Sequence, residues 1–304
     1  MARRLSPVIT MTAGAAIVGM ALSACGSNSL STSSSTPTGA APTSESVDAA
    51  LAALVPAKIK SAGKISVGSD TSYPPNEFLG ADGKTAEGWD IDLFNAVAQK
   101  LGLTVDWKTG AFPTLILGVN SGKFDASVSS FSINPDRLKQ VNMISYYNTG
   151  TQWIVPKGNP KKVDINNACG LNVGVQKGTV QVDDLAARSK KCVAAGKKPI
   201  NPIVEELQVK VNADVVSGKA DAMAADTPIA LYAVKQTNGA VEALGQSYDA
   251  TPYGYVVPKS ETGLANAFAG ALKALDKSGD YKKILTKWGV EGGAINNFAV
   301  NPTP

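Results

Sequence analysis

Ser121-Gly122-Lys123-Phe124-Asp125-Ala126 returns further along the chain as Ser217-Gly218-Lys219-Ala220-Asp221-Ala222. Each copy follows an apolar stretch at helical spacing: Leu115, Ile116 and Val119 before the first, Val211, Val215 and Val216 before the second. Each places Gly where a helix ends in a left-handed residue, and a short apolar strand comes next. Two more pairs stand in the same order. Ile65-Ser66-Val67-Gly68 matches Leu171-Asn172-Val173-Gly174, and Ile154-Val155-Pro156-Lys157 matches Val256-Val257-Pro258-Lys259. One such pair could be coincidence; three in register predict two α/β lobes built to one plan.

The segments between fit that plan. Phe94, Val97, Ala98 and Leu101 form one face of a helix over 90–101, ended by Gly102, and Leu103 to Trp107 alternates as a strand does. After Val257, residues Leu264, Ala267, Phe268, Ala271, Leu272 and Leu275 make one apolar stripe. Strands alternating with helices predict mostly parallel sheets covered on both faces. The last helices have no strands of their own to cover and are expected on the first lobe. Lobe 1 is therefore 63–150 with 255–304, lobe 2 is 151–254, and the chain crosses between them twice.

Composition removes several classes of function. The 304 residues contain no His, which excludes Ser-His-Asp and Cys-His catalysis and the commonest transition-metal ligand. Three Cys are too few for a cysteine-only zinc site, and a net charge of +4 is too small to suggest nucleic acid. No cofactor or metal is expected. The N-terminus reads as an address: Arg3 and Arg4, an apolar stretch over 8–22, then Leu22-Ser23-Ala24-Cys25-Gly26. Small residues before that Cys resemble a bacterial lipobox, with 1–24 removed and Cys25 lipidated; an ordinary signal peptide is the alternative. From Gly26 to Ser44, 17 of 19 residues are Ser, Thr, Pro, Gly or Ala, so 25–62 reads as a tether with a short helical lead-in. Two or more acyl chains give stable anchoring, which predicts an extracytoplasmic protein held at the cell membrane.

In open α/β sheets, ligands collect at the carboxyl ends of the strands. Four loops qualify: 68–76, 129–137, 176–181, and the loop after Met223 with Asp226, Thr227 and Pro228. They carry hydroxyls (Ser129, Ser130, Ser132), Arg137, Asp226, and a Gly178-Thr179 helix start. Arg grips a carboxylate bidentately, helix N–H groups favour an anion, and an Asp accepts from an ammonium. Together they describe an α-amino-acid zwitterion. Plainer readings stand beside this one: serines capping turns, Arg137 in a surface ion pair, and Thr179 and Asp226 as simple helix N-caps.

With those loops in view, the chain resembles the family 3 bacterial extracellular solute-binding proteins, the polar amino-acid receptors of ABC importers. Five segments carry the resemblance: 70–75, Gly88-Trp89-Asp90-Ile91-Asp92-Leu93, 121–126, 129–137 and Gly174-Val175-Gln176-Lys177-Gly178-Thr179. The resemblance implies a type II periplasmic-binding-protein fold: two α/β lobes, a two-strand hinge and a cleft between. It implies that Arg137, Ser132 and the Thr179 region hold the α-carboxylate. Asp226 and Ser130 would take the α-amino group, Tyr73 and Phe112 would sandwich the ligand, and Asp70 would face its side chain. Gly178, Val180, Gln181, Ser129 and Asn76 complete the expected set. Two positions depart: Asn76 stands where the family commonly has Phe, and Val180 replaces a second Thr. Asp70, with Asp90 or Glu77 nearby, favours a cationic or neutral side chain over an acidic one.

The implied function is a non-catalytic, monomeric receptor that delivers an amino acid to a permease and its ATPase. A dehydratase on the same scaffold is the alternative, with Glu77 or Glu205 as general acid; a ligand sensor for a signalling partner is another. If Cys25 is lipidated, Cys169 and Cys192 remain as an even pair in an oxidising compartment, which predicts a disulfide. Two free buried thiols are the other possibility.

Overall fold

The computed structural model describes residues 46–303. Its strands, in chain order, are β1 (Lys64–Ser69), β2 (Ser72–Tyr73), β3 (Glu77–Leu79), β4 (Ala86–Glu87), β5 (Thr104–Thr109), β6 (Ala126–Ser127), β7 (Val141–Pro156), β8 (Asn172–Gln176), β9 (Asn201–Glu205), β10 (Ala222–Asp226) and β11 (Val241–Pro258). Eight of these follow the order β5-β1-β6-β11-β7-β10-β8-β9, and β2, β3 and β4 form a small antiparallel sheet. Read from its two ends, the large sheet repeats itself: β5-β1-β6 closed by β11, then β9-β8-β10 closed by β7. Within each half the first three strands are parallel, but the closing strand is antiparallel. The sheet is thus mixed rather than mostly parallel. Each crossing strand enters its new half against the direction of the strands already there.

The repeated hexapeptides do the same job twice. Asp125 donates its N–H to the Ser66 carbonyl at 2.9 Å, and its Oδ2 accepts from the Ser66 N–H at 2.9 Å. Asp221 makes the same pair of bonds with Asn172, both at 2.8 Å. Each Asp so fixes the start of a strand beside β1 or β8. Gly68 is required by packing: a Cβ there would come 2.6 Å from Cδ2 of Phe124. At the matching Gly174 the obstacle would be Cγ1 of Val211 at 2.9 Å.

The helix Trp89–Lys100 buries Trp89, Ile91, Leu93, Phe94, Val97 and Ala98, with Asp90 and Asp92 in the first turn, where acidic groups favour the positive end of the helix dipole. Phe94 meets Phe268 edge-on at 5.1 Å and Tyr255 at 5.0 Å, so the helix Thr262–Ser278 shares a core with it. The lead-in is packed as well. Asp48 caps the helix Ala49–Ala52 through the Ala50 and Leu51 N–H groups, and its own N–H donates to the Lys100 carbonyl at 2.8 Å. Val55, and Ile59 in the helix Ala57–Ala62, join the same core, so these residues belong to the folded body. Cys25 and the segment preceding it lie outside the described residues.

Cys169 and Cys192 are bonded, with Cα atoms 5.5 Å apart. The bridge ties the turn before β8 to the end of the helix Val180–Ala194. Closing a loop of 23 residues stabilises by roughly 3 kcal/mol through chain entropy. Thiol labelling of the unfolded, unreduced chain, read by peptide mapping, should modify neither cysteine. Reduction should lower the unfolding free energy by about 2–4 kcal/mol.

Candidate functional site

The loops that leave β1, β6, β8 and β10 converge on one cavity. Asp70, Tyr73, Phe112, Ser129, Ser130, Ser132, Arg137, Thr179, Val180, Gln181 and Asp226 all line it. Of the expected residues, Asn76 and Gly178 do not.

One side of the cavity is cationic. Asn134 accepts the Arg137 N–H at 2.9 Å and starts the helix Pro135–Gln140, which holds Arg137 inward with 8% of its surface exposed. Its Nη1 donates to the Ser132 carbonyl at 2.7 Å and Nη2 to the Gly178 carbonyl at 3.1 Å. The guanidinium lies 5.4 Å from the Phe112 ring centre and 5.5 Å from that of Phe131. Among the described residues it meets carbonyls and ring faces rather than a carboxylate, so the surface ion pair does not form. Burial pulls its pKa down to about 10, which leaves it charged at neutral pH. Guanidinium offers five N–H donors, so several remain for a ligand. Thr179 holds the N-cap position of the helix Val180–Ala194 but does not cap with its side chain; Oγ1 donates to the Gln176 carbonyl at 2.8 Å.

Asp226 also sits at an N-cap position without capping. Its Oδ2 accepts from Tyr73 at 2.8 Å and Tyr253 at 2.7 Å, and Oδ1 accepts from Gln181 Nε2 at 2.9 Å. Burial raises its pKa, while those three donors and Arg137 pull it down. Asp70 Oδ1 accepts from the Ser72 N–H at 3.1 Å, and Oδ2 accepts from the Phe112 N–H at 3.1 Å and Gln176 Nε2 at 2.8 Å. Burial raises its pKa as well. A ligand in this cavity would meet a cation on one side and carboxylates on two others.

Two expected residues stand behind the wall. Asn76 is fully buried: its amide donates to Ser130 Oγ at 2.9 Å and accepts from Trp89 Nε1 at 2.6 Å. Replacing the family's aromatic therefore alters the support of Ser130, not a ligand wall. Gly178 contributes its carbonyl to Arg137, and a Cβ there would come 3.1 Å from Cβ of Pro113. Four participants were not foreseen in their roles. Gln176 lines the cavity and pins Asp70; its place at the end of β8 was a usable signal. Tyr253 lies inside a crossing strand, where nothing local marks it. Glu77 and Asp90, both fully buried, lie beneath Ser129 and Ser130.

Asn76→Ala should lower the unfolding free energy by about 1–3 kcal/mol, because it strands the buried Trp89 N–H without an acceptor. A urea denaturation midpoint that does not move would place the Trp89 partner elsewhere.

The profile of the bacterial extracellular solute-binding proteins, family 3, matches residues 65–291. The arginine-binding protein ArgT of Corynebacterium glutamicum is 34% identical over 253 residues, covering 83% of each chain. The solved structure of an ancestral arginine-binding protein bound to arginine is 32% identical and superposes with a TM-score of 0.69, covering 74% of this chain and 98% of that one. That of the ancestral amino acid-binding protein AncCDT-1, a precursor of cyclohexadienyl dehydratase, is 30% identical with a TM-score of 0.68, covering 76% and 97%. Profile, sequence and architecture agree over the segment that builds the cavity: the chain belongs to the bacterial extracellular solute-binding proteins, family 3.

Proposed function

We propose that this protein captures an amino acid with a basic side chain, arginine being the first candidate, and delivers it to an ABC importer. The observation that carries the reading is Arg137, a buried guanidinium with donors to spare, lining the same cavity as Asp226. That pair is complementary to an α-carboxylate and an α-ammonium. Arg137, Ser132 and the N–H groups at the start of the helix Val180–Ala194 hold the carboxylate, and Asp226 accepts from the ammonium. Tyr73 and Phe112 flank the ligand. Asp70, with Ser129 and Ser130, receives the side-chain head, a use consistent with the arginine-binding relatives.

Lobe 1 (63–150 and 255–304) and lobe 2 (151–254) close on the ligand, because the bound molecule contacts both and the open form offers it one. The protein acts as a monomer outside the cytoplasm, anchored through a lipid on Cys25. Among the described residues no helix is long and apolar enough to cross a membrane. A dehydratase would need an acid facing the substrate. Neither nominee lines the cavity: Glu77 lies behind the serines, and Glu205 pairs with Lys219 at 2.8 Å.

Truncating one partner of a buried, hydrogen-bonded charge pair costs about 2–5 kcal/mol. Arg137→Ala should therefore weaken L-arginine binding by roughly 30-fold to several thousand-fold in calorimetric titration. Arg137→Lys should recover part of this, since charge returns without the bidentate fork. Lys139, paired with Asp136 in solvent at 2.7 Å, is the control. Equal affinities for the Arg137→Ala and Lys139→Ala variants would place the carboxylate elsewhere. Separately, Cys25→Ser should move the protein from the membrane fraction to the soluble one; an unchanged distribution would exclude the lipid anchor.

A further inference from the structure

Glu77 has no surface on the cavity, yet the hydrogen bonds around it all point one way. The Trp89 indole N–H can only donate, so the Asn76 atom it meets at 2.6 Å is the carbonyl Oδ1. Asn76 Nδ2 therefore donates to Ser130 Oγ at 2.9 Å, which leaves the single Ser130 proton for Glu77 Oε2 at 3.0 Å. Ser129 is set in the same way. The Asp70 N–H donates to its Oγ at 3.0 Å, and its proton goes to Glu77 Oε1 at 3.3 Å. In this arrangement both Glu77 oxygens accept, as a carboxylate's do. Each serine is left with one lone pair, and no proton, for the cavity it lines. With the Asp70 carboxylate alongside, this floor of the cavity consists of acceptors.

From this geometry we propose that Glu77 is a specificity-determining positioning residue. By drawing both serine protons away from the cavity, it selects a side-chain head that only donates, a guanidinium or an ammonium, and rejects an isostere carrying a carbonyl oxygen. The inference rests on the amino-acid reading above and deepens it. Protonating Glu77 reverses one link: the carboxyl O–H donates to one serine, whose own proton then turns into the cavity. The carboxylates that face Glu77 are Asp90, from the helix Trp89–Lys100, and Asp70, from the loop after β1. Tyr146 on β7 donates to Asp90 Oδ2 at 2.6 Å, and the Ser130 N–H approaches the same oxygen at 3.4 Å. Burial and the charge of Asp90 push the Glu77 carboxyl up, whereas a cation over the serines favours its ionised form.

L-Arginine and L-citrulline test this, since they differ in one terminal group, all donors in one and part carbonyl in the other. In calorimetric titration the parent protein should prefer L-arginine by on the order of 100-fold. Glu77→Gln keeps the shape but supplies an amide donor. One serine then accepts on both lone pairs and presents its proton to the ligand. The preference should narrow by about tenfold. Ser129→Ala removes one of the two acceptors and should narrow it severalfold. A preference that stays within about threefold of the parent's in either folded variant overturns the role of Glu77 and leaves the receptor reading intact. A parent protein that binds neither compound overturns both.

Discussion

Val141 pairs with Pro258 at one end of the β7–β11 ladder, and Pro156 pairs with Val241 at the other. Between them the register slips three times, between Leu244 and Tyr248, Tyr248 and Thr251, and Tyr253 and Gly254. Gly150 sits opposite this irregular stretch, where a Cβ would come 2.5 Å from the Tyr248 carbonyl oxygen. Two strands shared by both halves thus fix which loops can meet. In the arrangement seen here the halves are also joined across the cleft. Tyr73 reaches Asp226, Gln176 reaches Asp70, Arg137 reaches the Gly178 carbonyl, and the Gln208 N–H donates to Ser72 Oγ at 3.2 Å.

These contacts also manage charge. Four buried carboxylates, Asp70, Glu77, Asp90 and Asp226, lie in or beneath one cavity, and burial pushes every one of them up. Asp70 and Asp226 are compensated by donors from both halves. Asp90 is carried to about 7 by burial, and its Oδ1 has no hydrogen-bond partner. Buried carboxylates this close cannot easily ionise together.

What was legible in the sequence was whatever recurs or punctuates. The two hexapeptides and the Val-Gly strands exposed the two-lobed plan, because a duplicated structural task keeps a duplicated pattern. The apolar stripe over Leu264–Leu275 is fully buried. Most of the cavity could be named because it lies just past strand ends, where topology alone predicts ligand groups. The mixed sheet was harder to foresee, since the direction of a crossing strand depends on the half it enters and not on its own residues. The support beneath the serines was hidden for a related reason. Asn76, Glu77 and Asp90 act through hydrogen bonds to residues some 40 to 54 positions away, a separation that leaves no periodicity to read.

The exchange of closing strands between the halves governs when each can be completed as the chain is made. The sheet of the second half needs nothing beyond β11. The first half must wait, because β6 receives its neighbour where Ser127 meets Val256. Trp89 and Phe94 share their core with Tyr253, Phe268 and Phe298. A polypeptide emerging N-terminus first therefore carries Trp89 and Phe94 without their final cover until residues 253–298 have been made. Long-range pairing of this kind favours a slow, late step in folding.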